Sequence, residues 1–276
     1  LDDNGRYNLQ ANDIIVLYDL AGNVVSADDT LSIESADRTD VGAFAQLDAP
    51  MGAKLSVSAG LRGDYVRSEN DGGFFGDRSI SNGAAAGLVA VTAGPFANVT
   101  FTAQISRGFR DPTLSDRFFR GPTGRGFITG NPDLEPETSL QIDLGARYAS
   151  GRLRLAGYAY QYRIDNLVER YQTETDFFFF RNRGRARIRG FEIESQAGLG
   201  RGYTLEFAAQ VGRGRALDDG AALDDISADS ISFVVRKAVT SELMVFSRVA
   251  RYADDDRPGP SEIEAPGHTN LDAGAS

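Results

Sequence analysis

A chain of 276 residues carries no cysteine, no tryptophan and a single histidine, His268, with a formal net charge of −10. Disulfides, thiolate metal sites and cysteine nucleophiles are therefore excluded, and no multi-histidine metal site can form. The acidic balance argues against nucleic acid as a bulk partner, while of the 29 basic residues only Lys54 and Lys237 are lysines, so cationic chemistry here is that of the bidentate guanidinium. The length suits one large all-β unit or two ordinary domains. No apolar run is long enough for a transmembrane helix. Leu1-Asp2-Asp3-Asn4 resembles neither a start methionine nor a signal peptide, so the chain is expected to begin inside something longer.

Taken in order, the segments alternate with a period of two. Leu55, Val57, Ala59 and Leu61 interleave with Ser56, Ser58, Gly60 and Arg62. Residues 99–106 (Val-Thr-Phe-Thr-Ala-Gln-Ile-Ser) alternate without exception. Ile142, Leu144 and Ala146 repeat the pattern, as do Leu205, Phe207, Ala209 and Val211, then Ile231, Phe233 and Val235. Side chains 180° apart place the apolar set on one face and the polar set on the other. No helical stripe of comparable strength occurs. The expected class is all-β, with about a dozen strands of about ten residues, the span of a tilted membrane strand.

Connections alternate in length. Short turns are expected near residues 48–53, 94–97, 149–152, 198–202 and 237–241, and long polar or irregular segments near 20–37, 68–79, 110–136, 166–182, 214–228 and 253–267. An up-and-down antiparallel sheet then gathers the short turns at one end and the long loops at the other, as in an antiparallel transmembrane β-barrel. A soluble sandwich or propeller also alternates, but does not ordinarily follow this rhythm.

Four motif blocks sharpen the reading. Residues 106–119 (Ser-Arg-Gly-Phe-Arg-Asp-Pro-Thr-Leu-Ser-Asp-Arg-Phe-Phe) precede residues 130–139 (Gly-Asn-Pro-Asp-Leu-Glu-Pro-Glu-Thr-Ser). Residues 160–168 (Tyr-Gln-Tyr-Arg-Ile-Asp-Asn-Leu-Val) and 182–194 (Asn-Arg-Gly-Arg-Ala-Arg-Ile-Arg-Gly-Phe-Glu-Ile-Glu) follow at the expected distances. In order, these blocks resemble TonB-dependent outer-membrane receptors, and more loosely the likeness runs from Arg38 to the C-terminus. The resemblance implies an outer-membrane barrel of about 22 strands, of which residues 1–276 supply an incomplete part. It implies a plug domain, a TonB-contact segment and a closing strand, none of which this sequence resembles. The implied activity is active import of a scarce nutrient such as a ferric siderophore. Its implied partners are outer-membrane lipid, the TonB complex by way of the plug, and a small anionic ligand such as an iron chelate. A passive porin or adhesin-like barrel, or a soluble carbohydrate-binding β-protein, are the rival readings.

Individual residues carry further expectations. Arg181, Arg183, Arg185, Arg187 and Arg189 share one parity, and Gly190 marks a phase change suggestive of a β-bulge. In a barrel these arginines are expected to face the lumen, either in ion pairs with acids such as Glu206 or as a stripe drawing an anion inward. Phe177–Phe180 and Tyr171 are expected in a long loop, where Tyr171, Phe178 and Phe179 are candidates for ligand contact. Arg117, Phe118, Phe119, Arg120 and Arg125, after Pro112, are candidates for anion and ring contacts, or else for loop packing. Prolines 112, 132 and 136, with Gly108 and Gly130, are read as structural. Asp218-Asp219 and Asp254-Asp255-Asp256 lack the spacing of a calcium loop. Tyr148, Tyr158, Tyr160 and Tyr162 suit an interfacial girdle. With no nucleophile elbow, Walker lysine or HExxH, neither an enzyme nor a cofactor is expected.

Overall fold

The computed structural model describes residues 5–19, 21–124 and 126–276. Its elements in chain order are β1 (Gly5–Tyr18), β2 (Val24–Pro50), β3 (Leu55–Asn70), β4 (Arg78–Phe96), β5 (Val99–Arg110), α1 (Leu114–Phe118), β6 (Arg120–Thr123), β7 (Gly126–Thr129), β8 (Glu137–Ser150), β9 (Leu153–Glu174), β10 (Phe177–Gly200), β11 (Tyr203–Ala216), β12 (Ser230–Ala238), β13 (Met244–Tyr252) and β14 (Thr269–Ala275). Twelve strands form one antiparallel meander in sequence order, β6 and β7 standing off its path, and the sheet is not closed. This is the all-β up-and-down architecture of an incomplete barrel wall.

Turn chemistry matches the twist of the hairpins. Arg201 and Gly202, between β10 and β11, have φ of 51° and 79°, and Ala97 and Asn98, between β4 and β5, have 48° and 72°. Two consecutive positive φ values suit a tight turn between right-twisted strands. At Gly202 a Cβ would also lie 2.7 Å from the Ala238 carbonyl oxygen, so the site admits only glycine without rearrangement.

Two expected loops are corrected. Residues 20–37 and 166–182 are mostly strand: β2 begins at Val24, and β9 and β10 pair out to Glu174 and Phe177. Polar or irregular composition marked them as loops, yet backbone pairing needs no alternating apolar face to persist. The twelve strands of the meander accordingly run from 7 to 27 residues instead of about ten; about ten suffice to cross the hydrocarbon, so the surplus of β2, β9 and β10 projects beyond it.

The register defines two faces. Along one row Ala103, Leu144, Ala159, Phe191 and Val211 lie directly opposite their neighbours. Leu61, Phe101, Leu144 and Phe191 on this face are 75, 50, 55 and 50% exposed. So continuous an apolar exposure is satisfied by hydrocarbon, not water. The opposite face is charged and internally paired: Arg62 with Asp64 at 2.7 Å, Arg236 with Glu206 at 2.9 Å, and Gln141 donating to Asp143 at 2.7 Å. Among the described residues, the buried apolar clusters lie where loops meet this charged face. Ile33 and Ala36 pack with Leu114 and Phe118, and Ala186 and Ala216 pack with Leu223.

Three side-chain expectations change. Gly190 carries no bulge, because its register with Tyr160 and Gly212 is unbroken; a Cβ there would collide with the Tyr160 hydroxyl, so the glycine makes room for a tyrosine ring. The phase changes instead between the pairs Arg183–Leu167 and Arg185–Asp165. There Asn166 takes φ 57°, and Ile164 and Leu167 both pack on the Ala186 cluster although their numbers differ in parity. Arg185, Arg187 and Arg189 therefore share the apolar face with Phe191 rather than lining the lumen. Tyr158, Tyr160 and Tyr162 lie on the charged face, opposite Gly145, Asp143 and Gln141, and do not form an outer girdle with Tyr148.

Candidate ligand-capture surface

The connection from β5 to β8 is the longest in the chain and folds against the charged face of β2–β4. Asp111 ends β5, and its buried carboxylate accepts from Asn82 Nδ2 at 2.5 Å and from Arg38 Nη1 at 3.5 Å. Thr113 caps α1: its hydroxyl accepts from the Asp116 amide at 3.1 Å, and Asp116 accepts in return from the Thr113 amide at 2.9 Å. This capping box turns the chain back so that Arg117 enters the interior, donating to the Pro132 carbonyl at 2.7 Å and lying 3.6 Å from Asp111. Burial raises the pKa of Asp111 and lowers that of Arg117; in each the partner's opposite charge opposes the shift. At Gly130 a Cβ would lie 2.7 Å from the Arg117 carbonyl carbon, so this glycine is required by close approach.

The motif polar groups tie this connection to the β9–β10 hairpin. Asn182 donates to the Glu135 carbonyl at 2.9 Å and accepts from the Glu135 amide at 2.7 Å. Asn131 donates to the Phe180 carbonyl at 3.1 Å, and Glu137 accepts from the Val168 amide at 2.6 Å. β7 completes the joint by pairing in parallel with the tip of β10 through Phe177, Phe178 and Phe179.

These contacts sort the sequence candidates. Arg117 and Phe118 are fully buried and Phe119 packs against the cluster that holds Phe118, so packing of the connection describes all three. Arg125 lies outside the described residues, as do Leu1–Asn4. Phe178 is buried beneath the Arg170 guanidinium, at 5.2 Å. Tyr171 meets Phe179 at 6.2 Å and carries the Arg181 guanidinium at 4.5 Å. Arg183 is buried; it bonds Glu169 at 3.0 Å and pairs with Asp219 and Asp218, pinning the connection after β11 to the hairpin. Arg185 and Arg187 lie on the outer face. Of the described candidates, only Arg120 combines exposure with an aromatic setting. Its guanidinium lies 4.1 Å from the Phe74 ring and 5.1 Å from that of Phe127, which meets Phe177 at 6.0 Å.

This ridge joins Phe177, from the aromatic run Phe177–Phe180 read in the sequence, to Phe74 and Phe127, for which the sequence suggested no role. Phe74 is followed by Phe75 in a glycine-rich segment and Phe127 by Ile128, and neither pattern by itself marks a contact. Among the described residues no group of His, Cys, Asp and Glu is arranged to hold a metal. His268 stacks on Tyr252 at 4.7 Å.

The sequence profile of the family "TonB dependent receptor-like, beta-barrel" matches residues 1–276. The chain belongs to this family. TonB-dependent receptors are proteins of the Gram-negative outer membrane, so the apolar face is the lipid face and the long-loop end is extracellular. Among solved structures, the copper transporter OprC superposes with a TM-score of 0.78 at 19% identity, over 87% of this chain and 39% of that one. The ferric yersiniabactin uptake receptor FyuA from Yersinia pestis gives 0.70 at 15%, over 99% and 43%, and the siderophore receptor PiuA from Acinetobacter baumannii gives 0.68 at 13%, over 99% and 45%. The chain thus spans less than half of each TonB-dependent receptor named, and at these identities the likeness is one of fold. No curated protein sequence matches the chain.

Proposed function

We infer that this chain is the barrel-wall and loop region of an active importer of a small metal chelate, taken up as cargo from outside the cell. A plug domain and TonB contact elsewhere in the full-length receptor would supply gating and energy, with a closing strand also outside residues 1–276. The observation that carries the reading is the exposed ridge of Phe74, Arg120, Phe127 and Phe177. A guanidinium held between ring faces keeps its N–H edge free for an anionic oxygen, and the flanking rings offer stacking for aromatic or apolar parts of a chelate. The cargoes by which these structural neighbours are named, copper, siderophore and ferric yersiniabactin, support a metal-bearing solute in general. The lumen-lining arginine stripe no longer supports it, since three of those arginines face outward. An anionic ferric siderophore fits the ridge best.

The test uses the full-length receptor in iron-starved cells supplied with a panel of labelled ferric siderophores. Uptake of one of them is expected to require TonB, and Arg120→Gln or Phe127→Ala is expected to raise its KM about tenfold, the equivalent of about 1.4 kcal/mol. Uptake that persists without TonB would instead identify a passive barrel, and unchanged KM in both variants would remove the ridge from the capture step.

A further inference from the structure

The arginines that turn outward form a block at the top of the lipid face. Arg107, Leu140, Arg163, Arg187 and Arg215 stand directly opposite one another in a single row across β5, β8, β9, β10 and β11. One row below run Ile105, Ile142, Gln161, Arg189 and Arg213, and the next is the wholly apolar row through Phe191. The face therefore changes from hydrocarbon-compatible to basic within two rows, on the side of the long connections. With strands about 4.8 Å apart, the upper row spans about 20 Å.

The block is short of counter-charge. Among the described residues, Arg107, Arg163, Arg185, Arg187, Arg189 and Arg215 make no side-chain hydrogen bond or ion pair, whereas Arg213 is held by Asp229 at 2.5 and 2.7 Å. Asp165 stands opposite Arg185, so one acid shares the face with these arginines, and Asp229 is engaged by Arg213. Arg163, Arg187 and Arg215 are directly opposed like charges, an arrangement that destabilises a sheet unless something neutralises it. Arg187, Arg189, Arg213 and Arg215 also border a cavity of about 380 Å³ beside the connection after β11, with Asp229, Asp254 and Asp255 on its walls.

We propose that this outward arginine block is a docking site for the phosphate groups of an anionic glycolipid in the extracellular leaflet. Three observations select that occupant. The site begins where the apolar belt ends, which is headgroup depth. It consists of guanidinium forks, which engage phosphate oxygens in pairs. It also faces away from the lumen, so imported solute does not pass it. Acyl chains would lie along the belt around Phe191 and Leu144 while phosphates bridge opposed arginines and relieve their repulsion. The proposal rests on outer-membrane placement alone and is independent of which solute is imported.

The experiment is native mass spectrometry of the detergent-solubilised full-length receptor with bis-phosphorylated lipid A, dephosphorylated lipid A and inorganic phosphate as probes. The bis-phosphorylated lipid is expected to bind about tenfold more tightly than the dephosphorylated one. The triple variant Arg163→Gln, Arg187→Gln, Arg215→Gln is expected to lose that preference while keeping heat-modifiable migration on gels. Equal binding of the two lipids by the unaltered receptor overturns the proposal, as does a preference retained in the variant. Displacement of the lipid by equimolar inorganic phosphate overturns the lipid assignment in favour of a free-anion site. Should the variant fail to assemble, the comparison of lipids on the unaltered receptor decides alone.

Discussion

Two stretches of β10 with the same residue chemistry have opposite fates. Above Gly184, Arg181 and Arg183 share the carboxylate of Glu169, at 2.5 and 3.0 Å, and Arg183 is buried against the connection after β11. Below it, Arg185, Arg187 and Arg189 share the lipid face with Phe191 and have no partner of their own among the described residues. The strand is continuous, and the change of face falls between the pairs Arg183–Leu167 and Arg185–Asp165, beside Asn166 with its φ of 57° on the neighbouring strand. An arginine's role here is set by the face it is delivered to. On the inner side acids are supplied by neighbouring strands and loops; on the outer side there are few.

The comparison can be broken most sharply in the apolar belt. Phe101→Arg should block assembly, costing about 2–4 kcal/mol at mid-bilayer, while Thr102→Arg on the charged face should assemble, as read by the heat-modifiable fraction in the outer membrane. If both assemble equally, the assignment of faces is wrong. On the inner side of β10, Glu169→Gln should lower stability by about 2 kcal/mol, because two guanidinium groups lose a charged acceptor and one of them is buried; hydrogen exchange in the β9–β10 hairpin would show the opening. On the outer side, Arg187→Gln in detergent without glycolipid should change stability by no more than about 0.5 kcal/mol, and in the stabilising direction.

The smallest effect concerns pH. Burial raises the folded-state pKa of Asp111 above its ordinary 3.8, so the folded connection holds its proton more tightly than the unfolded chain does. Its contribution to stability is thus greatest below the ordinary carboxylate pKa and falls as pH rises toward the folded value. Limited proteolysis of the full-length receptor should find residues 111–136 slightly better protected at pH 4.5 than at pH 7, and Asp111→Asn should flatten that difference. A steeper protection at pH 7 in the unaltered protein would contradict the assigned shift.

Much of the fold was legible because alternation is a local property. Ile105, Leu144 and Phe207 declare their face within three residues of sequence, and turns such as Arg201-Gly202 announce themselves by composition. The motif blocks were legible as a resemblance, and the structure gives Asn131, Glu135 and Asn182 the physical task of locking one long connection to the hairpin. What local pattern misjudged were residues 20–37 and 166–182, polar or irregular in composition yet extended. Backbone pairing beyond the bilayer does not require the apolar signal by which strands are recognised. The site was less legible still: Arg117 and Arg120 lie three residues apart in one polar connection, yet one is buried under a capped turn and the other lies between two phenyl rings.

The amino-acid order by itself determined the all-β class, the meander, the short turns, the apolar belt and the family resemblance. Each follows from nearest-neighbour geometry or from residues contiguous along the chain. Only the tertiary structure decided which arginines pair, which face the lipid, and that Phe74, Arg120, Phe127 and Phe177 meet. Those outcomes depend on register across strands and on the change of face beside Asn166, and a one-residue change of phase sends a side chain to the other side of the sheet.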